Sequence, residues 1–405
     1  MRKYNQDKTK PCNRIVTNYC YNIVQNYLGY LTGIDISYVS NKDFTPIQEV
    51  LNYNDVRNTD SEYLRNALIY GKAYEVNYID EESQERFKVL DSRECVPVYS
   101  KDLNQDLLYV IRFYLVDNID YTQGWFVEVY DKDFITKYKS NAGFSSIQLI
   151  EQIPHYYQQV PISVFTLNAE EESIFDKVMS LQDAYNKLLS AEVDDFEAFC
   201  DAYLILNNCY LSPEDVQQMK EKRTLIVEGE NASVSFLNKS ISDTQIENML
   251  ANIDAKIHKT ANSPNFADES FGTASGVALR YKLLGFENTS AGIVANMTKA
   301  LQRRLELICT VLELKAAISE TTWRDVQINF TRNLPVDYDS LTNTINQLRG
   351  IVSDKTLIAL LPFVKDADAE LAALQKDNAF LASMYSFQQT EEPETEPEEE
   401  EKVNE

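Results

Sequence analysis

Histidine is almost missing from this 405-residue chain, which holds only His155 and His258, far apart in sequence. Imidazole is the group best suited to moving protons near neutral pH and to binding transition metals, so histidine-based acid–base or metal chemistry has little material here. Both residues are read as structural, His155 in a connecting loop and His258 near a helix end beside Lys256 and Lys259. The six cysteines (Cys12, Cys20, Cys95, Cys200, Cys209 and Cys309) contain no C-x-x-C pair, which removes the common metal knuckle and redox motif. They are expected to be reduced thiols. No window reaches the ~18 apolar residues of a membrane span, and the basic start is followed by no apolar signal core. The chain is therefore expected to be soluble and made in the cytosol. No G-x-x-x-x-G-K-S/T loop is present: the one Gly-Lys pair, Gly71–Lys72, lacks its partner glycine and precedes Ala73. G-x-S-x-G, H-E-x-x-H and EF-hand patterns are missing as well. No cofactor is expected.

Positive charge is also scarce. Lys and Arg number 38 against 63 Asp and Glu, a formal net charge of -25. Residues 388–405 carry nine Glu and one Lys; Glu mixed with Pro buries no apolar surface, so this tail is read as disordered. The remainder is acidic in its own right. At face value that argues against nucleic acid, because phosphate binding needs clustered Lys and Arg. What the chain does have is a globular composition, 44% hydrophobic, and 25 tyrosines. Tyrosine suits strands and subunit interfaces, where one end of the ring is buried and the other wet.

Apolar residues recur at helical spacing over 15–30, and a second helix is predicted over 61–69, ended by Gly71. The period then changes: residues 73–79, 86–90, 95–99, 107–115, 125–130 and 133–139 read as consecutive, antiparallel strands. A helix of about 50 Å is predicted over 171–206, although Glu192, Asp194 and Asp195 interrupt its apolar stripe. A small α/β insert follows, with a strand near 202–206, a helix over 213–222 and a hairpin of 224–228 with 233–237 around Gly229. Further helices are predicted from 242 onward and over 275–317, the latter with kinks at Gly285 and Gly292. A strand over 326–331 and short helices over 339–351, 355–361 and 366–378 close the folded part. The fold class is α+β. Between two long helices lies 262–276, a run of small polar residues longer than most structureless connections, which points to function.

Acidic pairs such as Asp194–Asp195 and Asp268–Glu269 could be read as a catalytic or metal cluster, but 63 acidic residues generate such pairs by chance. Three segments say more. Residues 69–99 (IYGKAYEVNYIDEESQERFKVLDSRECVPVY), 177–206 (KVMSLQDAYNKLLSAEVDDFEAFCDAYLIL) and 264–288 (PNFADESFGTASGVALRYKLLGFEN) resemble, in order, stretches of the portal proteins of long-tailed phages of Gram-positive hosts. The resemblance is anchored over about residues 60–310.

That resemblance implies a homo-oligomeric ring of about twelve copies at the capsid's portal vertex, a channel for DNA packaging and ejection. It implies a wing (1–170), stem helices (171–205 and 242–261) flanking a clip (206–241), a tunnel loop (262–275), a long wing helix and strand (276–335) and a helical crown (336–387). The channel would be lined by Pro264, Asn265, Phe266, Ala267, Asp268, Glu269, Ser270, Phe271 and Gly272. Lys220, Lys222 and Arg223 in the clip would face the terminase large subunit and then a head–tail adaptor. Major capsid and scaffolding proteins are the other implied partners, double-stranded DNA passes without sequence recognition, and no membrane or catalytic residue is involved. Two other readings stand beside it: another head–tail or baseplate adaptor, which does not explain two long helices around a small insert, and a metal-dependent phage nuclease, which needs a tight carboxylate cluster. A conduit also differs from a binder. Each tight phosphate contact would trap sliding DNA, whereas excess negative charge centres the duplex by repulsion, screened over about 10 Å. Asp268 and Glu269 fit that picture.

Overall fold

A computed structural model of the chain describes residues 12–117, 123–140, 146–200, 204–208, 231–236, 243–266, 276–318, 322–333, 338–361, 364 and 366–388. An extended segment, 12–18, leads into α1 (Tyr19–Thr32), where the Asn18 side chain caps the first turn by accepting from the Tyr21 amide. Then come β1 (Ser37–Ser40), α2 (Thr45–Tyr53) and α3 (Val56–Tyr70). Gly71 ends α3 at φ +76°, and a Cβ there would lie 2.0 Å from the Glu171 carbonyl oxygen, so only glycine fits both the turn and the approach.

The strands follow as β2 (Lys72–Ile79), β3 (Glu85–Leu90), β4 (Cys95–Tyr99), β5 (Leu107–Asp117), β6 (Gln123–Tyr130), β7 (Phe134–Ser140), β8 (Ile147–Pro154) and β9 (Ile162–Thr166). They form two antiparallel sheets, a three-stranded one in the order β3-β2-β9 and a five-stranded meander from β4 to β8. The next elements are α4 (Met179–Cys200), the paired strands β10 (Leu204–Asn207) and β11 (Ser233–Phe236), α5 (Asp243–Thr260) and α6 (Gly276–Leu314). β12 (Val326–Asn329) pairs with β1, and α7 (Tyr338–Leu348), α8 (Asp354–Ala359) and α9 (Ala367–Gln388) finish the described chain. This is a mixed α+β fold of helices with small antiparallel sheets.

The three-stranded sheet is buried on both faces, which is why β2 is almost continuously buried. Tyr74, Val76, Leu90 and Ile162 pack toward the meander with Cys95, Val110 and Tyr130. The opposite face joins Ala73, Val89 and Phe165 to α1, α3 and the middle of α6. Cys12, Cys20, Cys95 and Cys309 are free thiols, and burial pushes those of Cys95 and Cys309 up to about 12.

Several expectations need correction. The helix expected from residue 171 begins only at Met179, after a 3-10 turn at Asp176–Val178. Upstream, the Asn168 side chain bonds both the amide and the carbonyl of Glu172, and the Asp176 carboxylate accepts from the Ser173 amide. These local bonds outcompete the helical ladder. Within the continuous α6, Gly285 meets a close approach, since a Cβ there would sit 3.1 Å from Asn262 Oδ1. The strand Ser233–Phe236 pairs with Leu204–Asn207; its expected partner 224–228 and the helix 213–222 lie outside the described residues.

Candidate functional site

The segment 262–276 is the natural candidate, and its first part is described. α5 ends in a left-handed turn at Asn262 (φ 50°), with the Ser263 amide donating to the His258 carbonyl at 3.1 Å and the Asn262 amide to that of Lys259 at 3.4 Å. This paired closure is the usual way for a helix to satisfy its last carbonyls, with asparagine tolerating the left-handed position. His258 reinforces it: Nδ1 lies 3.0 Å from the Ser263 carbonyl oxygen, so Nδ1 carries the proton in that contact.

The rest of the anchor comes from α1. The Tyr27 hydroxyl donates toward the carbonyls of Ala261 (3.0 Å) and Asn262 (3.2 Å). Asn26 Nδ2 donates to Ser263 Oγ (3.0 Å) and the Pro264 carbonyl (3.3 Å). On the other side Asn262 Nδ2 donates to Thr289 Oγ1 on α6 at 3.2 Å. Phe286 of α6 then makes an aromatic platform, 4.5 Å from the Tyr27 ring, 4.7 Å from Tyr30 and 6.5 Å from Phe266. The Tyr30 hydroxyl donates to Glu287, the residue after Phe286. Of the residues named from sequence, Pro264, Asn265 and Phe266 therefore sit at this root, held between α1 and α6. Ala267, Asp268, Glu269, Ser270, Phe271 and Gly272 lie outside the described residues, as do Lys220, Lys222 and Arg223.

Sequence reasoning missed Asn26 and Tyr27. The only available signal was a tyrosine inside a helical stripe, whose buried hydroxyl must find an acceptor. Removing it should matter. Tyr27→Phe leaves two carbonyls short of a donor, and is expected to cost about 1–2 kcal/mol in urea unfolding and to speed amide exchange across 261–266 while β2 amides stay unchanged.

α4 and α5 pack against one another at this root, where Ile253 and Ile257 are buried with Leu181, Tyr185 and Leu188 alongside. Both lead into the β10–β11 ladder at their far ends. Among the described residues no group of three or more His, Cys, Asp or Glu is placed to hold a metal ion. No helix among them is long and apolar enough to cross a membrane. Residues 1–380 match the family described as phage portal protein, SPP1 Gp6-like. The chain belongs to that family. The portal protein of Clostridium phage phiCD119 is 23% identical over 346 residues, which cover 78% of this chain and 73% of that protein. The portal protein of Bacillus phage SPP1 is 23% identical over 397 residues, 93% of this chain and 78% of that protein. Portal proteins are a structural, non-enzymatic family of the virion, and membership carries a general role in packaging through a channel. The match begins well before and ends well after the region that the sequence motifs anchored.

Proposed function

We propose that copies of this chain close into a ring of about twelve at one capsid vertex, with DNA passing through its centre during packaging and ejection. In this reading residues 1–170 and 276–335 form the wing, α4 and α5 the stem, 206–241 the clip, 262–275 the channel loop and 336–387 the crown. The observation that carries it is the root just described: two helices rise from the core together, and the segment between the second and the long α6 is tied to rigid elements at its base. Exposed apolar side chains support assembly. Phe196 on α4 (66% exposed), Met249 on α5 (55%) and Tyr281 on α6 (76%) lie uncovered in the single chain, where neighbouring copies would cover them. The terminase large subunit supplies the energy for translocation and docks at the clip near Lys220, Lys222 and Arg223, where a head–tail adaptor follows it. Capsid and scaffolding proteins meet the wing. The acidic balance keeps the duplex sliding, because a lumen without clustered cations offers no phosphate traps.

Negative-stain averages of the purified protein should show a ring with a hole wide enough for duplex DNA. Replacing 267–275 by a short Gly-Ser linker should leave the ring intact and reduce retention of packaged DNA; unchanged retention removes the channel-loop assignment. Charge reversal at Lys222 and Arg223 should weaken adaptor binding, and intact binding removes the docking assignment.

A further inference from the structure

Residues 13–19 lie along α4 in a regular register. The Asn13 amide donates to Asp194 Oδ1 at 2.6 Å, and its side-chain nitrogen to the same oxygen at 2.9 Å. The Ile15 amide donates to Ser190 Oγ (3.0 Å), the Thr17 amide to Asn186 Oδ1 (2.8 Å) and the Tyr19 amide to Gln182 Oε1 (2.9 Å). Gln182 also donates back, through Nε2, to the Thr17 carbonyl. Every second residue of the extended segment thus meets every fourth residue of the helix, running antiparallel to it.

Two residues of extended chain advance about 6.6 Å, and four residues of helix advance about 6.0 Å. The mismatch grows to about 2 Å over three steps, within reach of the different side-chain lengths of Gln, Asn, Ser and Asp. Four acceptors at this spacing wind round the helix by about 40° per step, so the segment wraps α4. Recognition is of backbone. Cys12, Arg14, Val16 and Asn18 all point outward and are exposed, Val16 at 65%.

We propose that the stripe Gln182–Asn186–Ser190–Asp194 is a binding site for extended polypeptide backbone, occupied by the chain's own residues 13–19, and that once vacated it accepts the same segment of a second copy in that register. The rungs at Ser190 and Asp194 lie beyond Leu188, the last α4 residue packed on the core, so the strap ties the outer half of α4 to α1. Its root is Tyr19, whose ring meets Tyr185 of α4 at 5.1 Å and His258 of α5 at 5.8 Å. Asp194, which interrupts the apolar stripe of the helix in sequence, is a ligand of this site.

Residue-resolved hydrogen exchange on the full chain is the direct test. The amides of 13, 15, 17 and 19 should exchange about five- to tenfold more slowly than those of 14, 16 and 18, given what one such bond contributes; a flat profile overturns the proposal. A second arm uses Ile15→Pro with Thr17→Pro, which deletes two donors while keeping the backbone extended. That variant should bind a labelled peptide of residues 12–19 that the parent does not bind. The same peptide N-methylated at the Ile15 and Thr17 amides should not bind. Equal binding of both peptides, or of neither, overturns it. If the variant does not fold, the exchange profile of the parent decides alone.

Discussion

Arg304→Met is expected to lower the unfolding free energy by about 3–5 kcal/mol, enough to abolish folding in a marginally stable chain. Arg304 lies in the last third of α6, has no solvent exposure, and stacks 4.5 Å from the Phe87 ring centre. Its Nε and Nη2 donate to the two oxygens of Glu75 at 2.7 and 2.6 Å, and Nη1 donates to Asp60 Oδ1 at 2.5 Å. Tyr38 completes the set by donating to Asp60 Oδ2 at 2.8 Å. Burial pushes both carboxyls up from their usual range, and the guanidinium opposes that shift. Without Arg304 two buried carboxylates face each other with no cation. Their folded pKa values rise further above the unfolded ones, so the folded variant holds protons that the unfolded chain releases, and its stability falls as pH rises. The gap between variant and parent should accordingly be smaller at pH 5 than at pH 8. Adding Glu75→Gln and Asp60→Asn to Arg304→Met should recover much of the loss, because the remaining polar groups are neutral. A loss below about 1 kcal/mol with no pH dependence would show that the cluster contributes little.

Glu75 also shows where reading the sequence stops working. In AYEVNYI the polar residues alternate with apolar ones, which predicts a strand with Glu75 and Asn77 facing water. The strand is there, but both side chains are fully buried, Glu75 against an arginine 229 positions away. Period and composition do not reveal such a partner. Strands with one dominant pattern were legible: β4 has the expected bounds, and the ends of β2, β3, β5, β6 and β7 shift by at most a few residues. β8 was missed because Ile150 interrupts the alternation begun by Ile147 and Leu149, at the point where its ladder with β7 shifts register. β9, five residues long and directly after Pro161, is too short for its pattern to stand out. α2 was missed although Pro46 stands where a helix likes to begin. At the candidate site the sequence located the segment after α5 through its small polar composition. Its anchors, Asn26 and Tyr27, lie more than two hundred residues upstream and answer to tertiary packing alone.

Glu85→Gln should flatten the pH dependence of stability above pH 6. Glu85 is 2% exposed and sits at the end of β3, on the same sheet face as Glu75, opposite Ile79. The Tyr157 hydroxyl donates to Oε1 at 2.8 Å, while Oε2 is buried without a hydrogen-bond partner. Burial pushes the carboxyl up to about 8, a rise that the Tyr157 bond and the charge of Lys315 only partly oppose. The folded chain therefore carries a proton on Glu85 at pH 7, and the unfolded chain does not. Stability from this group is present in full below the unfolded value and declines as pH rises through the folded one, by about 1.4 kcal/mol per pH unit at most. Glutamine keeps the acceptor for Tyr157 and removes the titration. Urea unfolding at pH 6, 7 and 8 should give a slope for Glu85→Gln shallower than the parent's by about 1 kcal/mol per unit, with the variant the more stable of the two at pH 8.5. Parallel slopes would mean that Glu85 is ionised in the folded chain. The contrast with Glu75 is one of partners: on one buried face, the carboxyl that meets an arginine has a full cation opposing the effect of burial, and the one that meets a tyrosine hydroxyl holds its proton.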